Sequence, residues 1–454
     1  MDVQSNLVIE QPHIARRSSG DYFLVVLAIV LAGYAIFGKT FANLGIAPLY
    51  VGELTLIFGI YAFIRSRAAI ATLASLPHLL LATLMCIVVA STLANIPKHG
   101  IDALRDSIII LYGGFSFIIT ALLLANPQRL FLPINFLRLI SNIIVPIAPV
   151  LVLMSNASYF SLTGEYQLTY VRPDSLAVHL AAAAILALLG FRRANVVWVM
   201  LLTVGMIAIA SQTRGGMLAF IVMMSVAVVA TGKFRLFGRF AVVAIAVISI
   251  AYVLDLSMPT PRGRDISAAQ VLENFGSIFQ TTNENLEGTK QWRQDWWQRI
   301  YSYTFEGPYF WTGKGFGVNL TIDDGIISAA TTALVPLLRS PHNSHLTILA
   351  RTGIPGLTLW LLLITSWGAL VLTNVVRARW RGDVFWSNFF LLTFCYGLGF
   401  LVEAAFDVVL EGPMDGIWFW CVFGVGVGAS LIYAAESQRH DAVRGVEYSV
   451  SQNS

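Results

Sequence analysis

The sequence predicts an all-α protein, a polytopic transmembrane helical bundle of about twelve spans with one large, partly helical outer loop between the ninth and tenth. Three observations carry this. Of 454 residues, 57% are hydrophobic and only 12% charged, about half the charge of an ordinary soluble chain. The mean hydropathy is +0.72. Apolar stretches long enough to cross a hydrocarbon core, which takes about 20 residues, recur along the chain. This composition excludes an ordinary cytosolic enzyme, a disordered scaffold and a disulfide-rich secreted module. The net charge of +4 is too slight to suggest nucleic-acid binding. Cys86, Cys395 and Cys421 lie in apolar stretches without C-x-x-C spacing, so neither a disulfide framework nor a metal site is expected.

The spans read as 21–38, 46–64, 76–95, 104–125, 130–154, 174–190, 194–212, 215–231, 237–255, 346–374, 385–409 and 416–435, with no internal repeat. With the N-terminus inside, the inner segments hold fifteen Lys and Arg and the short outer segments five. Basic flanks stay on the cytoplasmic side, so both termini are expected there. Residues 1–20 then form a cytoplasmic tail, 21–255 the first nine spans, 256–343 the outer loop, 344–435 the last three spans and 436–454 a polar, mobile tail. Arg16-Arg17 before an apolar run imitates a twin-arginine export signal. Eleven further spans and no small-residue cleavage site favour a retained first helix.

The outer loop opens with the turn-rich run Met258-Pro259-Thr260-Pro261-Arg262-Gly263. It holds seven Lys and Arg against eight Asp and Glu, so it is no polybasic lipid clamp. Trp292, Trp296, Trp297 and Trp311 are four of the eleven tryptophans, with Tyr301, Tyr303 and Tyr309 beside them. Such rings suit an interfacial belt or the apolar faces of sugars.

Three outward-facing places can carry chemistry. Ser211-Gln212-Thr213-Arg214-Gly215-Gly216 is the hinge between the seventh and eighth spans. An arginine fork at a helix start is a cradle for phosphate oxygens, or a snorkelling side chain in a tight turn. In the helical run Trp292–Arg299, Arg293 and Trp297 lie four apart on one face, whereas Arg299 projects elsewhere. The segment is a ligand-bearing helix or a solvated amphipathic one. The turn Gly313-Lys314-Gly315-Phe316-Gly317 follows, far from any nucleotide-binding pattern. In Ser340–Gly356 the chain returns to the membrane, and a helix after Pro341 is expected to stop at Gly353. His342 there is a general base, given that an imidazole titrates near pH 6.5, or a simple helix-start residue.

In this order, Arg214, Arg293-x-x-x-Trp297, Gly313-x-Gly-Phe-Gly317 and His342-Asn343-x-x-Leu-x-x-Leu-x-x-x-Gly353 resemble the O-antigen ligase and O-antigen (exopolysaccharide) polymerase superfamily of bacterial envelope membranes. The resemblance covers about 210–360. It implies a multi-pass protein of the inner (plasma) membrane. Its active face would be periplasmic, with inverting, metal-independent glycosyl transfer from an undecaprenyl-diphosphate-linked glycan. The acceptor would be a sugar hydroxyl, on the lipid A core for a ligase or on another lipid-linked glycan for a polymerase. Carried onto this sequence, Arg214 and Arg293 would bind the diphosphate and His342 would act on the acceptor hydroxyl. Trp297, Asn343, His345 and Arg351 would line the substrate, with no cofactor.

This division of labour is physically coherent. A leaving diphosphate develops charge that placed arginines stabilise, and two guanidiniums can stand in for a metal. The outer acidic pair Asp323-Asp324 reads as a solvated turn. The sequence departs from the family pattern at two places. His345 stands where an aromatic residue is frequent, so the role of base could be shared. Arg351 stands where an acid is common, making it a third phosphate contact or a headgroup anchor. Glu403 and Asp407, four apart near the end of the eleventh span, suggest function by their location, or pairing with an outer arginine. Arg172, Arg293 and Arg299 lack a glycine eleven positions on, a spacing of some polymerases, which favours a ligase. A lipid-glycan transporter or flippase would show related halves and midplane sites. A histidine-centred acyltransferase would have no use for two arginines.

Overall fold

The computed structural model describes residues 18–156, 169–260, 265–279, 284–326 and 339–452, with the side chains of 277–290 and 440–452 left undescribed. Arg16, Arg17 and residues 261–263 of the turn-rich run lie outside the described residues. The chain is an all-α helical bundle, and the sheet among the described residues amounts to two-residue hairpins, Gly45–Ile46 with Leu49–Tyr50 and Ser257–Met258 with Ile266–Ser267.

The main helices are α1 (Ser19–Phe37), α2 (Val51–Arg65), α3 (Leu76–His99), α4 (Ile101–Leu111), α5 (Gly114–Ala125), α6 (Phe131–Asn156), α7 (Pro173–Leu188), α8 (Val196–Ala210), α9 (Arg214–Thr231) and α10 (Phe234–Val253). They continue with α11 (Ala268–Phe279), α12 (Glu284–Tyr301), α13 (Ser344–Trp380), α14 (Val384–Ala404) and α15 (Pro413–Gln452). Each of the twelve expected spans holds a helix. Among the described residues, eight helices are long and apolar enough to cross a membrane, and α4 with α5, bent by 40°, makes a ninth. Of the twelve expected spans, α2, α7 and α8 hold the shortest single helices. These have 15, 16 and 15 residues, and at 1.5 Å per residue they reach only about 23 Å of a roughly 30 Å core. The tail expected to be mobile from Glu436 continues α15 to Gln452.

Helix α7 is the centre of the bundle. Every residue from Asp174 to Leu188 is buried, because its alanine-rich sequence lets α6, α9 and α14 approach closely. Helix α15 packs on α5, and α13 on α14 and α3. Helix α10 is the opposite case, with none of its residues buried. The polar segment before α13 is partly helical through α11 and α12, as expected, and α12 contains the whole Trp292–Arg299 run.

Candidate functional site

The site begins with a break. Helix α13 is two helices merged across Gly353, whose φ of 69° and ψ of −166° end the first one after Thr352. That is where the sequence placed the stop. The last carbonyls of a helix lack intrahelical donors, and the glycine-rich turn supplies them. Lys314 N–H donates to the Ala350 carbonyl at 2.8 Å, Gly315 N–H to that of Arg351 at 3.1 Å, and Ile354 N–H to that of Phe310 at 2.8 Å. Backbone meets backbone too closely for side chains. A Cβ at Gly353 would stand 2.4 Å from the Phe310 oxygen, and one at Gly313 would stand 2.3 Å from the Arg351 carbonyl carbon. Gly313, at φ 61°, is also in the left-handed region. The Gly-Lys-Gly-Phe-Gly turn is therefore the cap that fixes the short helix 344–352.

At the other end of that helix, Asn343 is the N-cap, accepting from Leu346 N–H at 3.1 Å. His342 before it has φ 51°, a left-handed conformation that costs a non-glycine residue roughly 1–3 kcal/mol. Two contacts hold this turn. Trp297 Nε1 donates to the Pro341 carbonyl at 2.8 Å. His342 Nδ1 lies 2.9 Å from Asp407 Oδ1. An ionised carboxylate only accepts, so Nδ1 carries a proton, and in the neutral ring the lone pair is on Nε2. The His342 side chain is 25% exposed, and the edge of Trp292 faces its ring at 6.2 Å.

Asp407 sits in the corner between α14 and α15. Its Oδ2 pairs with Arg172, and its Oδ1 also accepts from Val408 N–H at 2.7 Å. Burial alone would raise its pKa, but Arg172 and then His342 outweigh burial and hold the carboxyl well below the usual carboxylate range. Burial also opposes the charge on Arg172, and there Asp174 and Asp407 prevail and hold the guanidinium firmly protonated. A carboxyl depressed in this way contributes stability that is complete above its free value of about 3.9 and is lost as pH falls through the folded value. The expected result is a detergent-solubilised thermal midpoint that drops once the pH goes below about 4. Asp407→Asn should flatten that acid limb, and an unchanged limb in the variant would remove Asp407 as its source.

Arg293 reaches the same corner. One Nη donates to the Phe406 carbonyl at 2.9 Å, and its buried Nε–H has no protein partner. Burial lowers its pKa, which marks a guanidinium short of counter-charge. The sequence expectation that Arg293 and Trp297 share a face is met, since both address the segments that hold His342. Arg214 is the first residue of α9, after the N-cap Thr213. Its neighbour Gly215 packs into the corner, where a Cβ would stand 2.8 Å from Glu403 Oε1 and 3.3 Å from Phe406 Cβ. Glu403 is buried, with Oε2 unpartnered. The N-terminus of α9, Arg293 and His342 thus converge on residues 403–407.

Two expected substrate residues lie elsewhere. His345 is turned into the bundle, where its Nδ1 accepts from Trp360 Nε1 at 3.0 Å and its Nε2 donates to the Leu401 carbonyl at 3.0 Å. With both ring nitrogens engaged it has no lone pair to offer as a base. Arg351 has a side chain 2% exposed and pairs with Asp106 at 3.0 Å. It also donates to the carbonyls of Gly315 and Val318, each at 3.3 Å. It binds the glycine-rich turn to α4, and neither a phosphate nor a headgroup is within its office. Asn343 and Trp297 shape the turn beneath His342. Lys314 likewise occupies the expected solvated pair, lying 2.6 Å from Asp323 and 2.5 Å from Asp324. Among the described residues no group of three or more His, Cys, Asp or Glu is arranged to hold a metal ion.

The segment that builds this corner, from α8 through the break at Gly353, is also the one that matches a known family. Residues 198–361 match the O-antigen ligase family. The match contains Arg214, Arg293, the glycine-rich turn and His342, and it supports the O-antigen ligase superfamily that their order suggested. The match supports a membrane function of the O-antigen ligase or polymerase type. The curated proteins include no match to the chain. Asp407 and Arg172 lie outside the matched O-antigen ligase segment. The sequence had marked Asp407 only as an intramembrane acid and Arg172 only by a glycine it lacks. Their one legible signal was the option that an acid of the eleventh span pairs with an outer arginine.

Proposed function

We propose that the protein is a membrane glycosyltransferase that moves a glycan from undecaprenyl diphosphate to an acceptor sugar hydroxyl at the periplasmic face. The acceptor on this reading is the lipid A core, as in O-antigen ligation. The observation that carries the reading is the His342–Asp407 pair, held in a strained turn beside the underused guanidinium of Arg293. His342 Nε2 takes the proton of the acceptor hydroxyl as its oxygen forms the new bond to the anomeric carbon. The bond from that carbon to the diphosphate oxygen breaks on the opposite face, so configuration inverts. The electron pair leaves with the diphosphate, where Arg214 and Arg293 meet the developing charge. The proton stays on His342, and Asp407 stabilises the imidazolium. Both termini are cytoplasmic on this reading, which puts residues 256–343 on the side of the reaction.

The test is a gel of envelope glycans from a strain lacking the chain, complemented with variants. A ligase predicts lipid A core without polymer while polymer accumulates on its carrier. Core bearing a single repeat would assign a polymerase of O-antigen, and lost secreted polysaccharide with unchanged lipopolysaccharide would assign an exopolysaccharide polymerase. Arg214→Lys should complement poorly, because an ammonium cannot reproduce a two-pronged grip on phosphate. Full complementation by that variant would take Arg214 out of the diphosphate site.

A further inference from the structure

The chain of contacts behind His342 continues beyond Asp407. Asp407 gives Oδ1 to His342 and Oδ2 to Arg172. Arg172 is held in turn by Asp174, with Nη2 2.6 Å from Oδ2 and Nε 3.3 Å from Oδ1. Arg172 is the N-cap of α7, the most thoroughly packed helix of the bundle, and its side chain is 17% exposed. Its guanidinium therefore has little freedom to move toward an incoming molecule. The contrast with Arg293 is chemical as well as positional. Arg293 keeps a buried N–H without a protein partner, whereas Nε and Nη2 of Arg172 are both engaged by carboxylates of the protein itself. A guanidinium held on two carboxylates organises its neighbours.

We propose that Arg172 is a positioning residue for transfer, acting on His342 through Asp407. By holding Oδ2, Arg172 fixes the carboxylate plane so that Oδ1 meets Nδ1 and the ring presents Nε2 to the acceptor hydroxyl. It also offsets the charge that His342 faces. Without it the imidazolium looks at a bare carboxylate and keeps its proton more tightly. The base is then neutral only at higher pH, and the acid limb of the rate profile moves in the alkaline direction. The other ionisable groups around this pair are Asp174 on α7, Arg293 on α12, Glu403 on α14 and Asp415 on α15. None of them touches His342 in the described structure. The inference rests on the reading of His342 as base.

The experiment compares R172M, R172K, D407N and R172M/D407N, with H342A in parallel. Membranes of the native host are used, with lipid-linked glycan extracted from its own envelope as titrated donor. R172M should lower kcat about tenfold or more, the scale of a 1.4 kcal/mol coupling between contacting residues. KM for the donor should stay within about threefold, since uniform donor binding is untouched, and the acid limb should move upward. R172K should recover part of kcat. In the D407N background R172M should add nothing. Additive losses, a raised KM with unchanged kcat, or wild-type rates in R172M would each overturn the proposal. Should R172M fail to accumulate, R172K carries the test alone, with kcat expected to fall at constant KM. An active H342A would instead remove the reading of His342 as base, whatever the coupling between Arg172 and Asp407.

Discussion

Replacing His342 with alanine is expected to slow glycan transfer by about 10²–10⁴-fold, the usual contribution of a placed general base. The variant should still insert into the membrane, with a modest fall in its thermal midpoint from the lost bond to Asp407. His342 lies in the left-handed region at φ 51° and its ring is partly exposed, so the fold spends conformational energy to hold it and gains little packing in return. His342→Gly sharpens the test. Glycine removes both the imidazole and the backbone strain, so this variant should be as inactive as the alanine form and somewhat more stable. Transfer assays paired with thermal unfolding in detergent check both halves. Full activity in either variant would take His342 out of the mechanism.

Arg351→Met is expected to fail for the opposite reason. The Arg351 guanidinium is closed inside the protein against Asp106, whose side chain is 7% exposed. Breaking a buried pair outright costs roughly 3–5 kcal/mol, and the loss here should be a fraction of that because Asp106 keeps other partners. Asp106 would keep only Arg339, at 3.1 Å, Arg105, at 3.6 Å, and the Gly317 N–H. The glycine-rich turn would lose one of its ties to α4, and the cap on helix 344–352 would rest on its main-chain bonds and the Gly317–Asp106 contact. Low yield and a depressed thermal midpoint are therefore expected, with the double variant Arg351→Met/Asp106→Asn recovering part of the stability. Unchanged stability with a raised KM for the donor would restore Arg351 to the substrate site.

The two cases mark what the sequence could convey. Composition and apolar run length are properties of single segments, so the all-α membrane bundle and a helix in each expected span were legible. Whether a run fills with helix to its full length was less so. At α7 the polar Arg172-Pro173-Asp174 start belongs to the site, and the helix is buried in protein all round, which relaxes the length that lipid demands. The stop at Gly353 was legible because glycine and proline punctuate locally. Pairings across the fold were not. Asp407 lies 65 positions from His342, and nothing at either place names the other. Arg351 and His345 each carry a side chain that suits phosphate or proton chemistry, and only the tertiary partners, Asp106 for one and Trp360 with Leu401 for the other, show that this capacity is already used. Trp297 is the middle case. Its spacing from Arg293 gave the right face, while its indole N–H serves the backbone of Pro341.

The grip on helix 344–352 consists of main-chain amides from a stretch that precedes it in the chain. Identity at position 314 or 315 matters less to that grip than continuity of the ribbon. A single proteolytic nick between Phe310 and Gly315, leaving all side chains in place, would loosen the clasp and disarm a histidine that no protease had reached.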